Sequence, residues 1–181
     1  MLFRSFSGVP TLFAALLEHS TAGHDLSSFR CAFSGAAPMS VELMRRFERE
    51  AGVPVVEAYG LTEAACISTI NPVEGERRNG SVGLSLPVQE VCIVQLGADG
   101  AYVRDAAVDE VGVVAIAGPN VFNGYLLPEH NRGLWIDRGD GKRWLNTGDL
   151  GRLDADGYLW LAGRAKDLII RGGHKIGRAH V

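Results

Sequence analysis

The sequence lacks a long apolar run, since no stretch approaches the roughly 18 residues that a membrane-spanning helix needs. It also lacks a charge bias, because 18 Lys and Arg against 21 Asp and Glu leave a formal net charge of −3. Dispersed charge of this size argues against a nucleic-acid partner or an anionic membrane surface. We therefore expect no nucleic acid, no membrane span and an ordinary globular core.

Cysteine is scarce, and the three cysteines, Cys31, Cys66 and Cys92, lie far apart in apolar stretches. This spacing allows neither a disulfide framework nor a metal site. Residues 1–10 carry one positive charge and no cleavage site of the signal-peptide kind. These features predict a cytoplasmic protein with buried, reduced thiols.

The first part of the chain alternates short helical and apolar patterns. Pro10–Glu18 predicts a short helix with Thr11 as its N-cap. The apolar run Phe29–Phe33 predicts a buried strand, and Val53–Tyr59 predicts a second one. Between them, apolar residues recur every three or four positions over Ser40–Ala51, which predicts an amphipathic helix.

From Gly80 onward the pattern changes to short strands separated by Gly- and Asp-rich turns. The predicted strands are Glu90–Leu96, Glu110–Ala117, Trp144–Asn146 and Tyr158–Ala162. The fold class is therefore α/β, with a partial α/β sheet lobe over residues 1–80 followed by a β-rich lobe over residues 81–162.

A first candidate site is Tyr59–Glu63, at the carboxyl end of a predicted strand, where ligands sit in open α/β sheets. Tyr59 could stack on a purine, Thr62 could donate its hydroxyl to a phosphate, and Glu63 could bind Mg²⁺. The alternative interpretation is a strand end followed by a helix-initiating Thr–Glu pair.

Two later segments also combine glycine with charge. Asp149, in Thr147-Gly148-Asp149, is suited to accept hydrogen bonds from ribose hydroxyls, or alternatively to cap its own turn. Arg164, in the segment Gly163–Gly173, has the planar fork of donors that suits phosphate or ribose, although the segment could equally be a solvated basic loop.

Taken in order, these motifs resemble those of the adenylate-forming superfamily, which includes acyl- and aryl-CoA synthetases, luciferases and peptide-synthetase adenylation domains. Four further segments add to the resemblance: Val9-Pro10-Thr11, Ser34-Gly35-Ala36-Ala37-Pro38, Gly80-Ser81-Val82-Gly83 and Gly118–Tyr125. Within the superfamily, two features resemble the CoA ligases. One is Leu61 in the Tyr59–Glu63 motif, and the other is the sequence of Gly163–Ile170. The resemblance implies that the β-rich lobe is a distorted barrel.

The resemblance implies a two-step reaction, in which a small-molecule carboxylic acid attacks ATP to give an acyl-adenylate and the thiol of CoA then displaces AMP. The implied cofactors are ATP or AMP and Mg²⁺, with CoA as co-substrate. The implied catalytic residues are Thr62, Glu63 and Arg164, with Glu63 as the metal ligand. The implied cofactor-binding residues are Gly35, Ala36, Ala37, Tyr59, Gly60, Thr62, Asp149 and Arg164. Lys166 matches the hinge about which the family's small C-terminal domain rotates.

The family's Gly-rich phosphate loop and its C-terminal lysine domain have no counterpart in this sequence. We therefore expect a central fragment that is inactive alone, with a hinge loop over residues 163–175. Residues 176–181 are expected to be non-native, and we hypothesise that Lys175–Val181 is a translated sequencing adapter. A peptide-synthetase-type domain acting on an amino acid and a non-catalytic nucleotide-binding fragment stay open as alternatives. Fatty, branched and aromatic acids are all compatible with the motifs.

Overall fold

The computed structural model describes residues 4–19, 24–165, 169–171 and 174–176, the last two ranges by their backbone alone. The first lobe is a five-stranded sheet with strand order β1-β2-β3-β4-β5. Its strands are β1 (Ser5–Gly8), β2 (Cys31–Ser34), β3 (Val55–Tyr59), β4 (Thr69–Ile70) and β5 (Leu84–Ser85). The strands β1, β2 and β3 are parallel, whereas β4 and β5 pair antiparallel.

Helices connect the parallel strands, as the sequence predicts for β2 and β3; strand β1, which precedes the first helix, is an addition that the sequence patterns did not predict. Helix α2 (Val41–Ala51) begins at Ser40, whose hydroxyl accepts a hydrogen bond from the Leu43 N–H, and ends at Gly52 in the left-handed region. Helix α1 (Pro10–Glu18) has Val9 as its N-cap. The expected cap at Thr11 is therefore wrong, because Pro10 already occupies the first helical turn, where its missing N–H costs nothing.

The core of this lobe is aromatic and lies where the helices cover the sheet. Phe13 of α1 and Phe47 of α2 pack edge to face with 4.9 Å between ring centroids, and Phe6 lies 5.1 Å from Phe13. These rings fix both helices on β1, β2 and β3, and this packing sets the positions of the strands' carboxyl ends.

The second lobe is a six-stranded antiparallel sheet. Five strands follow the order β11-β10-β8-β6-β7, and β9 pairs with β10. The strands are β6 (Glu90–Leu96), β7 (Tyr102–Asp105), β8 (Gly112–Ala117), β9 (Trp135–Ile136), β10 (Trp144–Leu153) and β11 (Leu159–Arg164). A separate hairpin follows, formed by β12 (Ile169–Arg171) and β13 (His174–Ile176). The predicted α/β lobe followed by a β-rich lobe is confirmed.

Strand β10 is longer than the expected Trp144–Asn146. It continues through Thr147–Asp149 to Leu153, and its register with β8 shifts between Asn146 and Leu150. Gly148 adopts φ +71° within this irregular stretch. A bulge of this kind bends a strand and turns a side chain aside without ending the strand.

Arg78 ties the two lobes together. Its guanidinium pairs with Asp154 at 2.7 Å and with Asp156 at 2.5 Å, and it lies 4.3 Å above the Tyr158 ring. The Tyr158 hydroxyl in turn donates to the Glu76 carbonyl at 2.6 Å. The turn between β10 and β11 is thereby fixed against the loop between β4 and β5.

Lowering the pH should weaken the ion pair between Arg78 and Asp154. Burial raises the pKa of the Asp154 carboxyl, but hydrogen bonds from Trp160, from Arg78 and from two backbone N–H groups outweigh it and lower the pKa to about 2. Because the folded pKa is below the ordinary 3.8, the contact stabilises the fold above that value and is lost as the pH falls toward 2. We expect Asp154→Asn to flatten the decline of Tm between pH 4 and pH 2, and an unchanged decline would contradict this.

The cysteines are placed differently from one another. Cys31 is buried and Cys92 is half-buried, and burial raises the pKa of the Cys92 thiol to about 12. The expectation of buried thiols is wrong for Cys66, which is exposed because it lies in a surface turn with φ +82°.

Several expectations stay predictions. The first sheet extends to β5, so the proposed division near residue 80 lies within the connection from β4 to β5. Lys166, the proposed hinge, and residues 177–181 of the proposed tail lie outside the described residues.

Within the described part of the chain, the helices are all too short or too polar to cross a lipid bilayer.

Candidate nucleotide-binding site

The two lobes meet at a hydrogen bond between predicted site residues. Tyr59 ends β3, and its hydroxyl donates to Oδ2 of Asp149 on β10 at 2.7 Å. Burial raises the pKa of the Tyr59 phenol, a hydrogen bond with Thr147 opposes that effect, and the bond to Asp149 adds to it. The phenol therefore stays protonated at neutral pH and serves as a fixed donor to the carboxylate.

Arg164 reaches the same carboxylate from the neighbouring strand. Asp149 and Arg164 are direct partners in the register of β10 and β11, and Arg164 Nε lies 3.1 Å from Asp149 Oδ1. The Arg164 side chain is 71% exposed whereas that of Asp149 is 13% exposed. The Arg164 guanidinium is therefore open to solvent, whereas the carboxylate that it contacts is largely enclosed.

The Asp149 carboxylate is not used by the backbone of the bulge, because other side chains accept the hydrogen bonds of the bulge N–H groups. Asp149 N–H donates to Thr147 Oγ1 at 3.1 Å, and Gly148 N–H donates to Asn146 Oδ1 at 3.0 Å. Thr147 Oγ1 also donates to the Val114 carbonyl at 2.8 Å, which anchors the bulge to β8. A carboxylate has about four lone-pair positions, so two remain for further donors such as hydroxyls.

Glu63 and Thr62 lie on the turn that follows Tyr59. A 3₁₀ turn spans Thr62–Ala64, with Thr62 exposed and Glu63 half-buried. The Tyr125 hydroxyl donates to Glu63 Oε1. Tyr125 belongs to a segment that the sequence motifs include but to which they assign no site role.

The small-residue loop Gly35–Ala37 lies at the same sheet edge. It follows β2, whose last residue Ser34 is in register with Glu57 of β3, and a Cβ on Gly35 would lie 3.5 Å from the Ala58 carbonyl. Ala36 has φ +66°, and Ala36 and Ala37 are exposed. Small side chains keep this edge open to a ligand.

The structure thus brings Tyr59, Asp149 and Arg164 into direct contact and places Glu63 one short turn away. Tyr59 is only 9% exposed and packs in the core of the second lobe, so stacking of its ring on a purine stays a prediction. The hydroxyl of Tyr59, rather than its ring face, makes the observed contact.

The described residues contain no group of three or more His, Cys, Asp or Glu that could hold a metal by itself. The Glu63 carboxylate accepts a hydrogen bond from the Tyr125 hydroxyl at Oε1, and its role as a metal ligand stays a prediction.

A strand-end tyrosine, an aspartate and an arginine thus meet where the two lobes join, as the motifs of a nucleotide site predict. A family model described as "AMP-binding enzyme" matches residues 3–126. The chain therefore belongs to the AMP-binding enzyme family.

Named relatives agree with this membership. The chain is 44% identical to a marinolic acid–CoA ligase of Pseudoalteromonas sp. (strain SANK 73390), over 94% of this chain and 26% of that protein. It is 36% identical to a long-chain-fatty-acid–CoA ligase of Bacillus subtilis (strain 168), over 94% of this chain and 29% of that protein. The chain thus spans less than a third of the length of these curated relatives.

Solved structures share the fold. The chain matches ATP-bound MatB from Rhodopseudomonas palustris with a TM-score of 0.80 and 32% identity, over 96% of this chain and 33% of that one. It matches O-succinylbenzoate Coenzyme A synthetase (MenE) from Bacillus subtilis, in complex with ATP and a magnesium ion, with a TM-score of 0.79 and 33% identity. That match covers 96% of this chain and 34% of the MenE chain.

Proposed function

We propose that this chain is the nucleotide-facing part of an AMP-forming acyl-CoA synthetase. In the first step a carboxylate oxygen attacks the α-phosphorus of ATP, forming an acyl-adenylate and releasing pyrophosphate. In the second step the sulfur of CoA attacks the acyl carbon, forming a thioester and releasing AMP and the thiol proton. The convergence of Tyr59, Asp149 and Arg164 supports this proposal.

Asp149 would bind the ribose. Its carboxylate is held by Tyr59 and Arg164, and its two free lone-pair positions match the two hydroxyls of a ribose. Because Tyr59 is buried, the carboxylate is fixed before the ligand arrives, which reduces the ordering cost of binding. The loop Gly35–Ala37, at the same edge, would leave room for adenine and for the acyl group.

The negative charge of the ATP phosphates would be stabilised by three residues, Thr62, Glu63 and Arg164. Thr62 is exposed on its turn and can donate its hydroxyl to a phosphate oxygen, while the exposed guanidinium of Arg164 has further N–H donors beside its contact with Asp149. Glu63 would hold Mg²⁺, which when bound neutralises charge on the phosphates of ATP. Fixed donors of this kind act on the charge that gathers at the reacting phosphorus.

The class of acid is not set by these residues. The relatives named above act on acids as different as marinolic acid and a long-chain fatty acid, according to their names. Both relatives match over 94% of this chain despite these different acids, so we propose a carboxylic acid only as a class.

Equilibrium dialysis tests this proposal. We expect the chain to bind AMP, and to bind a non-hydrolysable acyl-adenylate mimic, an acyl-sulfamoyl adenosine with an uncharged acyl group, more tightly. GMP is the matched control for base recognition. Equal binding of AMP and GMP, or no binding of either, would contradict the proposal, and a preference for an aminoacyl mimic would favour the peptide-synthetase alternative.

A further inference from the structure

One segment of the second lobe supports the turn that carries Glu63. We name residues 118–125 the support segment. Phe122 N–H donates to the Glu63 carbonyl at 2.8 Å, and Asn120 Nδ2 donates to the Ala64 carbonyl at 2.6 Å. With the Tyr125 hydroxyl on Glu63 Oε1, both the backbone and the side chain of Glu63 have partners in this segment.

Tyr125 is itself held in place at both backbone groups. Asn131 Oδ1 accepts from Tyr125 N–H at 2.7 Å, and Asn131 Nδ2 donates to the Tyr125 carbonyl at 3.0 Å. The Phe122 ring packs edge to face on the Tyr125 ring at 4.9 Å. Gly124 precedes it with φ +123°, and a Cβ there would lie 2.9 Å from Asn131 Oδ1. These contacts hold the Tyr125 backbone and pack one side of its ring, while 39% of the residue stays exposed.

A neutral donor has a specific advantage at this position. The terminal torsion of a glutamate side chain is broad, so an unsupported carboxylate samples many orientations. A hydrogen bond to one oxygen restricts the carboxylate plane and leaves the other oxygen free. Lysine or arginine in place of Tyr125 would also restrict the plane, but would oppose the binding of a cation.

We propose that Tyr125 is a positioning residue that orients the Glu63 carboxylate to receive Mg²⁺ with a bound nucleotide. This inference rests on the proposed function, in which Glu63 is the metal ligand. Supporting groups of this kind commonly change metal affinity by about 10- to 100-fold when they are removed.

The test uses the Mg²⁺-dependent gain in ATP affinity, measured by calorimetry with Mg²⁺ and with EDTA, alongside AMP affinity without metal. We expect Tyr125→Phe to leave AMP affinity unchanged and to lower the Mg²⁺ gain by about tenfold. Glu63→Gln should remove the gain. Tyr102→Phe is the matched control, because the Tyr102 hydroxyl also donates to a carboxylate, that of Asp105, on β7.

The outcomes separate the two proposals. If the wild-type chain does not bind AMP, the proposed function fails and this inference fails with it. If the wild-type chain binds AMP but Tyr125→Phe keeps the full Mg²⁺-dependent gain in ATP affinity, the inference alone is overturned. It is also overturned if Tyr125→Phe lowers AMP affinity by as much as it lowers that gain. Should Tyr125→Phe fail to fold, Asn131→Ala, which removes both side-chain hydrogen bonds to the Tyr125 backbone, is expected to lower the gain, and an unchanged gain would overturn the inference.

Discussion

Replacing Asp149 with alanine should lower the affinity of the chain for AMP by about 100-fold. Each hydrogen bond to a charged group contributes about 1.5–3 kcal/mol, and two ribose hydroxyls would lose their acceptor. The variant also leaves the buried Tyr59 hydroxyl without the carboxylate that it now contacts at 2.7 Å. Calorimetric titration with AMP measures the change directly.

The chain contains a matched control for this substitution. Asp105 accepts a hydrogen bond from the Tyr102 hydroxyl at 3.1 Å and pairs with Arg138 at 2.6 Å, so it has the same kinds of partners as Asp149. Because β7 is the far edge strand of the second sheet, Asp105→Ala should keep AMP affinity. Equal losses in the two variants, or no loss in Asp149→Ala, would contradict the assignment.

Replacing Gly60 with alanine should destabilise the fold by about 3 kcal/mol or more, at the upper end of overpacking effects. An added Cβ would lie 1.9 Å from the Cys66 carbonyl oxygen and 2.7 Å from the Ile67 Cα. Both atoms belong to the backbone, so no side-chain rotation relieves the clash, and the loop after the Thr62–Ala64 turn must move. Urea unfolding measures the loss.

Gly35→Ala provides the comparison, because its nearest heavy atom would be 3.5 Å away, an ordinary contact. We expect this variant to unfold at nearly the wild-type urea concentration while binding AMP more weakly, since Gly35 is proposed to line the nucleotide. A Gly60→Ala variant that is as stable as Gly35→Ala would show that the loop can open freely.

Much of the first lobe was predictable because its signals are local. Helix α2 begins at Ser40, whose side chain caps it, and ends at Gly52, which adopts a left-handed conformation. Both signals depend only on residues near in sequence. The two-residue strands β4 and β5 were not predictable, because so short a pairing has no periodicity. The bulge at Gly148 likewise looks like a turn in sequence, and only pairing with β8 and β11 makes it part of a strand.

The sequence motifs indicate which residues to consider for the candidate site, but not how those residues contact one another. Ordered motifs indicate that Tyr59, Asp149 and Arg164 share one ligand, and the structure brings these three together. The role of Tyr125 was hidden, since its contact with Glu63 joins residues distant in sequence and depends on the direction of one hydroxyl. A glycine-tyrosine pair ending a motif was the only sequence signal, and it fits a structural turn equally well.

The most direct measurement is a crystal structure of the chain with AMP bound. The account predicts ribose hydroxyls about 3 Å from the Asp149 carboxylate, a typical hydrogen-bond distance, with the adenine at the sheet edge formed by Gly35–Ala37 and Tyr59. AMP bound elsewhere, with Asp149 still contacting only Tyr59 and Arg164, would contradict it.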